Sequence, residues 1–218
     1  SEREDVKTFL FENVDGSPLL YKAGQFLTFI TQVHGHEIRR SYSMSSAPEV
    51  DPYPAITVKR ISNGEISRTW TDHTQVGDVV QCLPPSGRFT VDEAHGVSRD
   101  IVLIGAGSGI TPLFSILKSI LQTEPESCVT LLYANRNQHH TLFSKQIRTL
   151  ELQHADRLKV IHIYSQPSDD WAGIRGRLNN SRLENLLQQH IRFRQADARF
   201  FLCGPSELMR TVDITLRY

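Results

Sequence analysis

The sequence predicts a two-domain fold: an antiparallel β-barrel followed by an α/β domain built on a doubly wound parallel sheet. Three observations carry the prediction. Up to about residue 96, short runs alternate apolar with polar residues and are broken by turn residues, the period-2 pattern of half-buried strands. After about residue 98, continuous apolar runs alternate with helix-period segments, as βαβ units require. A glycine-rich loop joins the first of those runs to the first of those helices. The boundary is expected near Ala94 to Arg99, giving domains 1–97 and 98–218.

The elements follow in order. Val6 to Phe11, Gln25 to Thr31, Glu37 to Ser43 and Ile56 to Arg60 read as strands, with turns at Gly35 and at Asn63-Gly64. Val79 to Leu83 and Arg88 to Val91 are expected strands flanking Pro84-Pro85-Ser86-Gly87. Ser67 to His73 is the short helix candidate, packed by Trp70. Such spacing points to an antiparallel barrel. In the second half, Ile101 to Ile104 is apolar throughout, as a parallel strand buried on both faces should be. A helix from Pro112 to Leu121, a strand from Val129 to Tyr133, a helix from Leu142 to Leu152 and a strand from Leu158 to Tyr164 come next. Ser181-Arg182-Leu183-Glu184 has the form of a capping box opening another helix. Arg199 to Cys203 is the fourth strand, and the last helix follows Pro205.

Composition removes several function classes. Lys plus Arg is 24 and Asp plus Glu is 24, so the formal net charge is zero. Broad binding to nucleic acid or to acidic membranes needs clustered positive charge and is not expected. Hydrophobic residues make up 39% and charged residues 22%, ordinary for a globular protein. The apolar stretches fall short of the roughly 20 residues that span a bilayer. Cys82, Cys128 and Cys203 are odd in number and far apart, which argues against a disulfide framework or a CxxC site and for a reducing, cytoplasmic setting. His34-Gly35-His36 and His139-His140 lack a third ligand at diagnostic spacing, so no metal site is expected. The chain lacks an initiator Met and a signal peptide, and its last helix has no terminator. It reads as a fragment, truncated at the C-terminal end.

Two constellations carry chemistry. Gly105-Ala106-Gly107-Ser108-Gly109-Ile110-Thr111-Pro112 lies between a buried strand and a helix. Glycines let the backbone approach a phosphate, and the helix start offers free N–H groups to an anion. The spacing is neither GxGxxG nor GK[ST], which speaks against a P-loop. The next strand ends in Tyr133-Ala134-Asn135-Arg136, without the acidic residue that binds ribose in many dinucleotide folds. In the first half, Arg40-Ser41-Tyr42-Ser43 ends a strand, and Gly64-Glu65-Ile66-Ser67 lies where a turn meets the short helix. An Arg offers a bidentate fork for a diphosphate, and a helix start adds donors for the same group. A Tyr presents a flat face to a ring system, and a Ser hydrogen-bonds a ring nitrogen.

With these residues in order, the sequence resembles the ferredoxin–NADP reductase superfamily, in particular the reductase components of bacterial oxygenases of the phenylacetyl-CoA epoxidase reductase type. Further matching pieces are Ala23-Gly24-Gln25-Phe26, Thr57-Val58-Lys59-Arg60, Gly77-Asp78, Pro85-Ser86-Gly87-Arg88-Phe89 and Cys203-Gly204-Pro205 with Leu208-Met209. The resemblance implies an FAD-binding barrel and an NAD(P)-binding α/β domain. It implies that Arg40 and Ser41 with Gly64, Ile66 and Ser67 hold the FAD diphosphate, that Tyr42 lies against the isoalloxazine with Ser43 near its N5, and that Val58 and Lys59 line the flavin with their backbone. It further implies that Gly107, Ser108, Gly109 and Thr111 hold NADH or NADPH, with Arg136 and Met209 nearby and Cys203, Gly204 and Pro205 approaching the nicotinamide. Tyr42, Ser43 and Cys203 are then the candidate catalytic residues.

The implied activity is hydride transfer from nicotinamide to FAD, followed by single-electron delivery to an iron–sulfur domain or a separate ferredoxin-type partner. The alternatives are the reductase half of a flavohaemoglobin-like protein and a flavin-binding electron-transfer protein that does not use nicotinamide. The C-x4-C-x2-C pattern of a plant-type ferredoxin domain is missing from this chain. Tyr218 is not a safe match to the aromatic that covers the flavin in plant-type members. NADPH-selective relatives often carry Ser-Arg after the strand matching Val160 to Tyr164. Here Ser165-Gln166 stands there, which leans the expectation to NADH unless Arg136 compensates.

Overall fold

The computed structural model describes residues 5–33, 35–92, 96–193 and 197–217. His34, Tyr218 and the Ala94 and His95 of the expected boundary lie outside them. The chain packs as two units, Ser1–Asp92 with Phe114–Ser119, and Glu93–Leu113 with Ile120–Tyr218.

The first unit is antiparallel. β1 (Val6–Leu10) pairs with β4 (Ala55–Lys59), and β2 (Phe26–Val33) lies between β3 (His36–Ser43) and β5 (Gln81–Cys82). A single rung, Met44–Ile56, joins the two sheets. Alternate residues of β2, Leu27 and Phe29, enter the core with Met44, Ile56, Val58, Ile66 and Trp70, as the period of 2 demands. Trp70 is the hub. Phe9 and Phe29 meet it edge-on at 4.9 and 4.7 Å between ring centroids, the arrangement that ring quadrupoles favour. Truncating such a buried indole to Ala removes about 3–5 kcal/mol.

Two strand expectations shrink here. Only Gln81–Cys82 of the Val79 to Leu83 run pairs, and Arg88 to Val91 forms no strand. Pro84 and Pro85 have no N–H to give a ladder, and Gly87 turns at φ +117°. Pairing beyond them is reduced to the isolated Phe26–Ser86 bridge. The short helix also starts earlier than expected, as α1 (Glu65–Arg68), and runs into a wide helical turn over Thr69–His73.

The second unit is a five-stranded parallel sheet in the order β10, β6, β7, β8, β9, formed by β6 (Asp100–Ala106), β7 (Cys128–Asn135), β8 (Leu158–Tyr164), β9 (Ile174–Arg175) and β10 (Arg199–Cys203). α2 (Ile110–Thr123), α3 (Ser144–Gln153), α4 (Asn180–His190) and α5 (Ser206–Arg217) connect or follow the strands. Val102, Ile104, Leu132 and Ile163 share one sheet face and pack with Leu183, Leu186, Leu187 and Val212 of α4 and α5. β9 was not foreseen; its two residues extend the sheet at one edge. The expected capping box is also corrected. Ser181 lies inside α4, and the cap is Asn179, whose extended backbone (φ −122°, ψ 171°) lets its side chain accept from Arg182 N. Asn is as good a cap as Ser, and it comes first in the chain. No helix among the described residues is long and apolar enough to cross a membrane.

Candidate functional site

In the first unit the site grows from a break in strand pairing. Antiparallel register carried on from Met44–Ile56 would set Ser43 opposite Thr57 and Tyr42 opposite Val58. Neither rung forms. β3 otherwise pairs with β2 and β4 with β1, so beyond the Met44–Ile56 rung no ladder covers their facing edges among the described residues. A bare edge is a row of unused donors and acceptors. Arg40 and Tyr42 stand beside this opening.

Register explains which side chains serve it. Arg40 is opposite Phe29 and Tyr42 opposite Leu27, so both share the face that carries the core residues. The Tyr42 ring is half-buried against Phe29 and Trp70, at 6.2 and 6.3 Å. Burial raises its phenol pKa, and the Arg40 charge opposes that rise. Arg40 is exposed, and its Nη1 donates to the Arg39 carbonyl at 2.8 Å. Ser41 points to the opposite face, where its hydroxyl meets Thr28 Oγ1 at 2.8 Å. The Val58 side chain is wholly buried, which leaves its backbone for the opening, and Lys59 is partly exposed.

Trp70 links this strand end to α1. Gly64, with extended backbone, caps α1. The buried Ser67 hydroxyl donates to Gly64 O at 2.9 Å and accepts from Ile61 N at 3.1 Å, so it holds the turn and has little left for a ligand. The first-turn N–H groups of Ile66 and Ser67 have no place in the helix ladder. Arg40, Tyr42 and these donors form one neighbourhood through Tyr42, Ile66 and Trp70.

In the second unit the site is made of main chain. Parallel pairing sets Cys203 opposite Gly105, which brings Cys203-Gly204-Pro205 beside the Gly105 to Gly109 loop at the carboxyl ends of the strands, where open α/β sheets bind ligands. A Cβ on Gly109 would lie 2.3 Å from Cys203 O and 2.9 Å from Gly204 N. Gly109 is therefore required by the packing of one turn on the other. Gly107 has φ +53° with nothing within 4 Å of a Cβ, and it is the glycine over which the surface is open. Thr111 is buried, and its hydroxyl donates to Ser108 O at 3.0 Å, closing the loop. Ser108 is exposed, Met209 is partly buried, and Met209 N bonds Pro205 O at 3.1 Å. Burial pushes the Cys203 thiol up, so it is neutral at pH 7.

At the ends of β7 and β8, Asn135 Nδ2 is a buried donor without a partner. Arg136 is exposed, and its Nε donates to Gln166 Oε1 at 2.7 Å. Asn135 is not among the residues expected from the sequence to bind a ligand. Its signal was a polar residue closing an apolar parallel strand at the ligand end of the sheet. The described residues hold no group of His, Cys, Asp or Glu arranged for a metal.

These features fit two dinucleotides: a bare strand edge with an exposed Arg and free helix-start donors in the first unit, and an open positive-φ glycine loop with an orphaned buried donor in the second. The family described as "Oxidoreductase FAD-binding domain" matches residues 2–91, and "Oxidoreductase NAD-binding domain" matches 103–213. The chain is 35% identical over 219 residues to the 3-ketosteroid-9-alpha-monooxygenase ferredoxin reductase component of Mycobacterium tuberculosis, covering 96% of this chain and 56% of that one. It is 32% identical over 197 residues to one of the subunits of the 1,2-phenylacetyl-CoA epoxidase of Escherichia coli, covering 90% and 55%. It thus spans about half the length of these relatives. A ferredoxin NADP+ reductase structure from Neisseria gonorrhoeae, solved with bound FAD and NADP, shares the fold with a TM-score of 0.77 at 22% identity, over 99% of this chain and 86% of that one. The chain belongs to the oxidoreductase NAD-binding domain family, with a match to the oxidoreductase FAD-binding domain ahead of it, and it shares its fold with a ferredoxin NADP+ reductase.

Proposed function

We propose that the chain takes a hydride from NADH or NADPH onto FAD and passes the electrons singly to an iron–sulfur domain or protein. The observation that carries the reading is that strand pairing between the two sheets is limited to the Met44–Ile56 rung and does not continue along β3 and β4 beside Arg40 and Tyr42. A planar ring with alternating donors and acceptors along its edge would use those bare strand edges.

FAD, when bound, supplies a group that accepts a hydride and releases electrons one at a time. The chain supplies binding and orientation. Arg40 sets a guanidinium fork toward a diphosphate, with the Ile66 and Ser67 N–H groups as further donors. Ser41 contributes main chain only, since its hydroxyl faces Thr28. Tyr42 gives a ring face, while Ser43, Val58 and Lys59 give the strand edges. Gly107, Ser108 and Gly109 receive the dinucleotide phosphates through backbone N–H groups, and Thr111 keeps their loop closed. Cys203, Gly204 and Pro205 wall the nicotinamide end with a neutral thiol and backbone, next to Met209. The barrel takes residues 1–97 and the nucleotide domain 98–218.

The iron–sulfur acceptor is supported by the name of a relative, a ferredoxin reductase component. A cytoplasmic setting is supported by the three free cysteines. The test is chromatography of the flavin released on denaturation. FAD is expected, because Arg40 and the α1 donors fit a diphosphate; FMN would overturn the reading.

A further inference from the structure

We infer that the buried hydroxyl of Tyr133 is a positioning residue for the dinucleotide loop, an inference that rests on the function proposed above. Tyr133 is fully buried in β7, between Gly105 of β6 and His162 of β8. A buried phenol needs partners, and this one finds them on two separate loops. Its Oη donates to Gly107 O at 3.2 Å and accepts from Leu142 N at 3.1 Å. One residue of a rigid central strand therefore grips both the phosphate loop and the loop that follows β7. The neighbouring Thr141 hydroxyl is held in turn by Tyr164 Oη at 3.0 Å.

The grip has a direction. Gly107 O also accepts Ile110 N–H, so both carbonyl lone pairs are occupied and the peptide plane cannot swing freely. A trans peptide places the next N–H antiparallel to its C=O. With Gly107 O drawn toward Tyr133 in the sheet, Ser108 N–H is aimed the opposite way, away from Tyr133. That is the donor a phosphate would meet at exposed Ser108. Gly107 itself, at φ +53° with open space over its Cα, has no side chain to fix this peptide, and the Tyr133 hydroxyl does it instead.

The test is Tyr133→Phe in the flavin-loaded protein, which keeps the ring and removes one oxygen. Binding of ADP-ribose is measured by calorimetry, and flavin reduction by NADH or NADPH in stopped flow. The hydrogen bonds are long, so the expected loss is at the low end for an uncompensated buried pair: about three- to tenfold weaker ADP-ribose binding and a similar rise in the half-saturating NADH or NADPH concentration. The limiting reduction rate and flavin content should stay within about twofold of wild type. Thr141→Val, which removes that hydroxyl's contacts to Tyr164 and to Asn137 O and leaves both Tyr133 hydrogen bonds in place, should leave ADP-ribose affinity unchanged. Unchanged affinity in Tyr133→Phe, or failure of that variant to yield flavin-loaded protein, would overturn the inference, since a purely positioning hydroxyl is not needed for folding. If wild type binds no ADP-ribose, the functional reading fails first and this inference with it.

Discussion

The first unit offers its candidate site as side chains at a strand edge, and the second as main chain in two abutting turns. In the first, one guanidinium stands exposed beside a half-buried ring, and substitution there removes a contact without disturbing a core. In the second, Gly109 lies so close to Cys203-Gly204 that a side chain has no room. A charge-built site should lose affinity when its charge is removed, whereas a backbone-built site should lose local structure when a Cβ is added.

The largest effect should come from the charge. Arg40→Ala is expected to weaken FAD by about ten- to a hundredfold, the equivalent of about 1.5–3 kcal/mol for a charge-assisted contact. Flavin retention during dialysis reads it, and thermal unfolding of the apoprotein should be unchanged. The backbone counterpart is Gly109→Ala. Its methyl meets Cys203 O, and overpacking of this kind costs about 1–3 kcal/mol. The second unit should unfold at lower temperature and NADH should bind less well, with FAD retained. Gly107→Ala meets open space and bears only the left-handed backbone penalty, about 1–2 kcal/mol. If Gly107→Ala destabilises more than Gly109→Ala, the division of roles between the two glycines is wrong.

Nicotinamide choice gives a smaller effect than the sequence alone implied. Gln166 is the acceptor that orients Arg136, so Gln166→Arg removes that acceptor and sets two cations side by side. The gain in NADPH kcat/KM should then stay below about fivefold, under the roughly 1–2 kcal/mol of a single clean Arg–phosphate contact. Arg136→Ala should lower NADPH use and spare NADH. A Gln166→Arg gain near thirtyfold would show that Arg136 plays no part.

The smallest effect is a pH slope. Burial holds His162, His154 and His190 below the usual imidazole value of 6.5. Their folded pKa is depressed, so the unfolded chain takes up protons first as pH falls. Stability should be full above pH 6.5 and decline below it, and His162→Gln should flatten part of that decline in pH-dependent unfolding. A steeper decline in the variant would contradict the assignment.

What the sequence made legible divides along the same line. Alternation and apolar runs located nearly every long element, because burial sets those periods directly. Arg40 and Tyr42 can be proposed from the sequence because the chemistry they offer is in the side chain. Arg88 to Val91 failed as a strand because two prolines and a positive-φ glycine cut its ladder, and alternation says nothing of a missing partner. Ser181 lost the cap to Asn179 because both satisfy the same local rule and only backbone geometry chooses. The packing role of Gly109 was hidden because it depends on a turn nearly a hundred residues later. Tyr133 was hidden because its hydrophobic ring satisfied the strand pattern while its hydroxyl served another loop.

In the function proposed above, one chain holds both FAD and a reducing nicotinamide and moves electrons between them. An anaerobic titration of the purified yellow protein with NADH and with NADPH, followed in the visible spectrum, tests it most directly. The oxidised-flavin bands should bleach with about one nicotinamide consumed per FAD, with NADH at least as effective as NADPH. A colourless protein, or bound flavin that stays oxidised with both nucleotides, would contradict it.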